Sequence, residues 1–313
     1  MLFYLKAIYL LSKYNAQIIL LMIDKIKKQY AIRVEELETT VSTDDLKKFS
    51  NSIYSKHLEF LTEEVDYYTK LEWVLRHSQS AKKMMLSSLF MKQASYLYEH
   101  KMKNLVFYAM YYSLFNAFLS NIILLPCLHI NELTKISHGK AGNQIDTYFL
   151  RKKIYSNDIL DLLSELRMWR EAYSYHLPLT GVNYDFKNYK QKLDNYLPKI
   201  YQTSELLSYI TYFAWEKRVT VIIDNYSENQ QKSDDLFFSF VKIEDGKRKF
   251  CQLDDDDYSS QGYLLKNSDK PAPLSWFLSN RLCEDLECNW EQFEGENDFD
   301  INGVAEYING IIA

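Results

Sequence analysis

Glycine and proline are scarce in this chain, 8 and 5 among 313 residues. A fold of many short strands needs both at its turns, so their shortage argues for long helices. Cysteine is scarce as well. Cys127, Cys251, Cys283 and Cys288 form no CxxC pair and have no histidine at zinc-ligand spacing. That excludes a zinc ribbon or a disulfide framework and reads as free thiols. Also missing are a glycine-rich phosphate loop, a nucleophile elbow and an HExxH helix. Asp254 to Asp257 are four consecutive carboxylates, which cannot converge on one cation without a special fold and read as an exposed acidic turn. Neither a metal nor a cofactor is expected.

What the chain does have is apolar residues (47%) and 26 tyrosines, whose rings pack at helix interfaces while the hydroxyl stays wet. Net charge is −5, which argues against generic nucleic-acid binding, but the charge is unevenly spread. Residues 251–313 hold 14 acidic and 3 basic side chains, whereas 82–153 hold 10 basic and 3 acidic. Either these are two unrelated solvated surfaces, or a polyanion-binding middle is masked by the tail. The apolar N-terminal stretch is interrupted by Lys6, Lys13, Asn15 and Gln17 and lacks a clean run of about 18 apolar residues. It is expected to be a packed helix rather than an anchor, in a cytoplasmic protein with no membrane contact.

Periodicity predicts a helix over 2–31 and a long polar helical stretch over 44–77 that starts at Ser42-Thr43-Asp44-Asp45, with a break at Ser78-Gln79-Ser80. A helix follows over 81–100. The stretch 105–125 is long and apolar enough to cross a membrane, but Tyr108, Asn116, Ser120 and Asn121 speckle it, so it reads as the central helix of a bundle. Gly139 and Gly142 are expected to break regularity before a short helix. Helices then run over 157–175 and 185–217, with Pro198 expected to kink or split the second. Candidate strands lie at 219–224, 236–244, 247–253 and 263–265, with a polar loop at 225–233 and closing helices at 274–286 and 302–312. The fold class is therefore mainly α, a helical bundle with extra N-terminal helices plus a small C-terminal α+β domain. The expected segments are 1–80, 81–217 and 218–313.

The most chemically suggestive stretch is Ile159 to Pro178, ILDLLSELRMWREAYSYHLP. Ile159, Leu162, Leu163 and Leu166 form one buried helix face. Arg170, Glu171 and His176 follow near the helix end, where Pro178 is expected to stop it. Arginine grips a phosphate through a planar fork, and histidine moves a proton near neutral pH. The plain alternatives are a surface ion pair of Arg170 with Glu171 or Asp146, and a helix C-terminal cap for His176. His138, in Ser137-His138-Gly139, reads first as a turn histidine.

Residues 81–215 resemble the HEPN domain superfamily. FYAMYYS at 107–113 is similar to the family's aromatic YYAMFHA-type motif, and ISHGKAGNQIDTYF to its short histidine/glycine segment. LSELRMWREAYSYHLP resembles its Arg-bearing helix, with five residues between Arg170 and His176. In a related branch whose motif ends ADYDLP, aspartate stands at the position of His176. The resemblance implies a metal-independent endoribonuclease of toxin or anti-phage defence type. Arg170 would hold the scissile phosphate, His176 would be the acid–base group and Glu171 the polar residue of the motif. It also implies a homodimer, because six helical steps set Arg170 and His176 about 120° and roughly 9 Å apart on one helix. RNA is the expected partner, guided by Lys140, Arg151, Lys152 and Lys153. An antitoxin or regulatory protein is a further candidate partner, through the C-terminal domain. The competing class is a non-catalytic helical module that binds a nucleotide, RNA or protein.

Overall fold

The computed structural model describes residues 33–133, 136–176, 185–238, 241–244, 247–251, 262–278, 282 and 302–312. The expected helix at 2–31, Pro178 and the run Asp254–Asp257 lie outside them. The fold is mainly α with a small α+β part. Its main helices are α1 (Thr43–Phe60), α2 (Tyr67–Glu99), α3 (Lys103–Ile123), α4 (His138–Ile145), α5 (Asp158–Glu171), α6 (Phe186–Arg218), α7 (Tyr226–Phe238) and α8 (Asn302–Ile312). Among the described residues of 81–215 there is no strand.

Helix starts are set by side-chain caps. Ser42 accepts from the Asp45 amide at 3.1 Å, Asp66 from Thr69 at 2.8 Å, Ser137 from Lys140 at 3.3 Å and Asp185 from Asn188 at 3.2 Å. Each satisfies one amide that the first turn leaves without a partner.

The helices α2 and α3 form an antiparallel pair, joined by a turn in which Lys101 takes a left-handed φ of 61°. α3 also packs on α5 and α6. It is long and apolar enough to cross a membrane, yet 83% of its most apolar window is buried within the protein, as a bundle's central helix should be.

Several local sequence expectations meet a different outcome in the folded chain. Ser78-Gln79-Ser80 does not break the chain; it is buried inside one continuous helix. Ser80 donates to Ser120 O at 2.8 Å, Ser113 to Ser87 O at 2.8 Å, and Asn121 to Ile200 O at 2.9 Å. These small polar residues line the seams between α2, α3 and α6 and spend their hydrogen bonds there. Pro198, expected to kink or split α6, does not split it, since the helix runs through it from Phe186 to Arg218. It lies on a half-buried side among Lys199 and Tyr196, where water can satisfy the carbonyl its missing N–H leaves free. The polar stretch 225–233 is not a loop but most of α7. Asn225 Oδ1 accepts from the Tyr67 amide at 3.2 Å, and the rings of Tyr67 and Tyr226 meet at 5.1 Å. Nor do Gly139 and Gly142 interrupt a helix, since both lie inside α4.

Strand β1 (Glu64–Asp66) pairs in parallel with β2 (Val221–Ile223), and β3 (Val241–Glu244) pairs antiparallel with β4 (Lys247–Cys251). The expected strand at 263–265 is helical. Of the expected closing helix 274–286, Leu274–Phe277 is helical and most of the remainder lies outside the described residues, while α8 matches its range. Leu264, Leu274, Phe277, Val304 and Ile308 join the same hydrophobic core as the bundle.

Arg76 is the most demanding buried group. It is 2% exposed and pairs with Glu72 at 2.7 Å. It donates to Ile123 O at 2.9 Å, to Leu125 O at 3.2 Å and to Leu128 O, and its guanidinium lies 4.8 Å from the centre of the Trp73 ring. Arg76→Met should cost about 3–5 kcal/mol in urea unfolding, because Glu72 is left buried without its partner; a loss below about 1 kcal/mol would contradict this account.

The frame also contains three titratable groups that burial keeps neutral. Burial lowers His57 to about 3 and His77 to about 4, and raises Glu205 to about 7. Depressed histidines contribute stability that is present above the unfolded value of about 6.5 and lost as pH falls. The raised glutamate contributes stability that is present below its unfolded value and lost as pH rises to about 7. Between about pH 4.5 and 6.5 the two effects oppose each other. Glu205→Gln should therefore gain on wild type by about 1.4 kcal/mol per pH unit as pH rises through this window, measured as urea stability across pH. A pH-independent difference would exclude a buried neutral Glu205.

Candidate functional site

The last turn of α5 carries Arg167, Arg170 and Glu171. Arg167 Nε and Glu171 Oε1 are 2.8 Å apart, an i,i+4 pair with both side chains nearly half exposed. Such a pair adds little stability, but it decides which arginine is occupied. Asp146 is likewise taken, by Arg151 at 2.8 Å. Neither of the ion pairs that the sequence offers Arg170 is formed with it.

Arg170 instead turns inward. Its Cζ lies 5.3 Å from the centre of the Tyr111 ring and 5.7 Å from that of Tyr112. Its Nε is buried with no hydrogen-bond partner. Two aromatic faces hold the cation and leave hydrogen-bonding capacity of the guanidinium unused.

Tyr111 serves a second group with its other end. Its Oη is 2.6 Å from His138 Nδ1. His138 begins α4 directly after the cap Ser137, and its ring packs 4.4 Å from Phe115. Burial, then the charges of Arg167 and Arg170, hold the His138 imidazolium below the ordinary histidine range, with Glu171 acting the other way. Burial likewise raises Tyr111 to about 12, against the pull of the two arginines, so the phenol stays protonated.

The structure thus gathers Arg170 and Glu171 with His138, which sequence spacing had left as a turn histidine, and with Tyr111, Tyr112 and Arg167, which it had not singled out as a site. The Arg167–Glu171 pair was readable from its i,i+4 spacing. His138 and Tyr111 stand 27 positions apart, and no local pattern joins them.

His176 follows on the next turn of the chain. After Glu171 the helix widens into a π-helical turn, Ala172–His176. Tyr173 holds that turn by stacking on Phe107 at 5.7 Å, beside Trp169 at 5.5 Å. His176, at its far end, is exposed, and among the described residues no hydrogen bond or ion pair joins it to Arg170.

Lys140, Arg151, Lys152 and Lys153 are all exposed. Lys140 shares α4 with His138. The other three follow the π-helical segment Asp146–Leu150. Lys153 adopts φ 58° and, with Lys199 and Tyr196, lines a cavity of about 400 Å³. Among the described residues no group of three His, Cys, Asp or Glu could hold a metal ion.

Comparison with known proteins gives no matching family model, no matching curated protein and no matching solved structure.

The electrostatic account of His138 makes opposite demands on its neighbours. In an NMR titration of the imidazole, Arg170→Gln should raise the His138 pKa and Glu171→Gln should lower it. Shifts of the same sign would mean that neither side chain acts on His138 through its charge.

Proposed function

We propose that this chain is an endoribonuclease of HEPN type, in which a cation and histidines, rather than a bound metal, carry the chemistry. The observation that supports this reading is the shared phenol: Tyr111 bonds His138 through Oη while its ring lies against Arg170. Phosphate binding and proton transfer are the two tasks of such a reaction, and groups suited to each meet at one side chain.

In the proposed reaction the substrate 2′-oxygen attacks phosphorus and the P–O5′ bond breaks. The products are a 2′,3′-cyclic phosphate and a 5′-hydroxyl. Arg170, with Arg167 beside it, holds the phosphate and stabilises its developing charge. His138 takes the 2′-hydroxyl proton. With Nδ1–H donating to Tyr111 Oη, its Nε2 is free to do so, and its depressed pKa keeps the ring neutral at pH 7. A second group must protonate the leaving O5′; we assign this to His176 of a paired protomer. Lys140 extends the cationic rim.

The test incubates purified protein with total RNA in EDTA. His138→Ala and His176→Ala should each lower cleavage about 10²–10⁴-fold and keep RNA binding. Arg170→Ala should lose both, and Arg170→Lys should not restore them, because a point charge cannot copy the planar fork. Wild-type cleavage should rise with pH through a value below 6.5, as His138 becomes neutral. RNA profiles identical between wild type and all three alanine variants would indicate a non-catalytic binding module instead.

A further inference from the structure

Leu105, Tyr108 and Tyr112 follow one another at helical spacing along α3, and Leu86 and Phe90 do so along α2. Together they make an apolar strip that is partly exposed among the described residues. Tyr108 is 43% exposed, Leu105 46% and Leu86 37%. The rings form a connected cluster. Tyr108 and Tyr112 are 4.6 Å apart with planes at 50°, and Phe90 lies 5.7 Å from Tyr112 and 6.4 Å from Tyr108. Tyr112 is also the ring that Arg170 faces at 5.7 Å. The strip therefore runs directly into the site.

We propose that this strip is a stacking platform for the unpaired bases of a single-stranded RNA whose phosphate lies on Arg170. The proposal rests on the ribonuclease reading and names what that site accepts. Charge and ring chemistry together select the occupant. A membrane surface or an apolar partner helix could cover the rings, but it would bring no anion to the guanidinium whose Nε is buried without a partner. Here tyrosine faces border a guanidinium with unused hydrogen-bonding capacity, and a nucleotide has both a π-face and an anion. A duplex would be refused, because its bases are already stacked and cannot reach Tyr108.

Fluorescence anisotropy on the full chain tests this with an uncleavable 2′-O-methyl RNA 12-mer, offered as a single strand, as a duplex and as a strand of abasic residues. Base–aromatic stacking amounts to about 1–3 kcal/mol per base, or roughly 5- to 150-fold in affinity. Wild type should prefer the base-bearing single strand to both other probes. Tyr108→Ala should weaken that strand by such a factor and leave the abasic strand unchanged. Tyr108→Phe should bind as wild type. Tyr108→Leu, which keeps apolar bulk without the ring, should bind more weakly than wild type.

Equal affinity for base-bearing and abasic strands, or full affinity in Tyr108→Leu, overturns the platform. So does a change in sedimentation of Tyr108→Ala from dimer to monomer, which would give the strip to a second copy of the chain. If wild type cleaves RNA and Tyr108→Ala binds and cleaves identically, only the platform falls. If wild type neither binds nor cleaves RNA, the ribonuclease reading falls with it.

Discussion

The guanidinium of Arg76 closes the C-terminal end of α3 by donating to carbonyl oxygens of Ile123, Leu125 and Leu128. A mostly apolar helix buried in a core has a difficulty at that end, because its last carbonyls have no intrahelical partner and no water nearby. Arg76 supplies donors from the neighbouring helix, and Glu72 balances its charge. The cost of desolvating an arginine is accepted in return for a fixed relation between α2 and α3. The aromatic cluster on those helices, including Tyr111 and Tyr112, inherits its position from that relation.

Serines continue the same arrangement along the helices. Ser80, Ser87, Ser113, Ser120 and Ser204 are buried at the seams of α2, α3 and α6 and bond across them. This explains where sequence reading of the fold held and where it did not. The cap at Ser42 and the buried helix at 105–125 were legible, because caps and apolar runs act over a few residues. The break expected at Ser78–Ser80 was wrong because serine in isolation favours turns, whereas here its hydroxyl is used by another helix. The stretch 225–233 folded as helix for a similar reason, through Asn225 and Tyr226 contacting Tyr67.

The site divides along the same line. Arg170, Glu171 and His176 share one stretch, and their spacing made them visible. Glu171 then proved to be the partner of Arg167, four residues back. His138 and Tyr111 come from different helices and meet only after folding. Sequence could show that each residue type was suited to the chemistry. It could not show that one phenol would join the histidine to the arginine, since that depends on the packing of α3 against α4 and α5.

Burial holds three histidines below their ordinary range: His57 and His77 in the frame, and His138 beside Arg170. Acid therefore acts on the scaffold and on the cluster in the same direction. As pH falls, protonation of the unfolded chain begins to draw the frame apart over the region where His138 starts to acquire its charge. Frame and site are thus both acid-sensitive, the frame through full burial of His57 and His77 and the site through partial burial of His138 together with the charges of Arg167 and Arg170. A variant selected to work at lower pH would have to rebuild the interior along with the cluster.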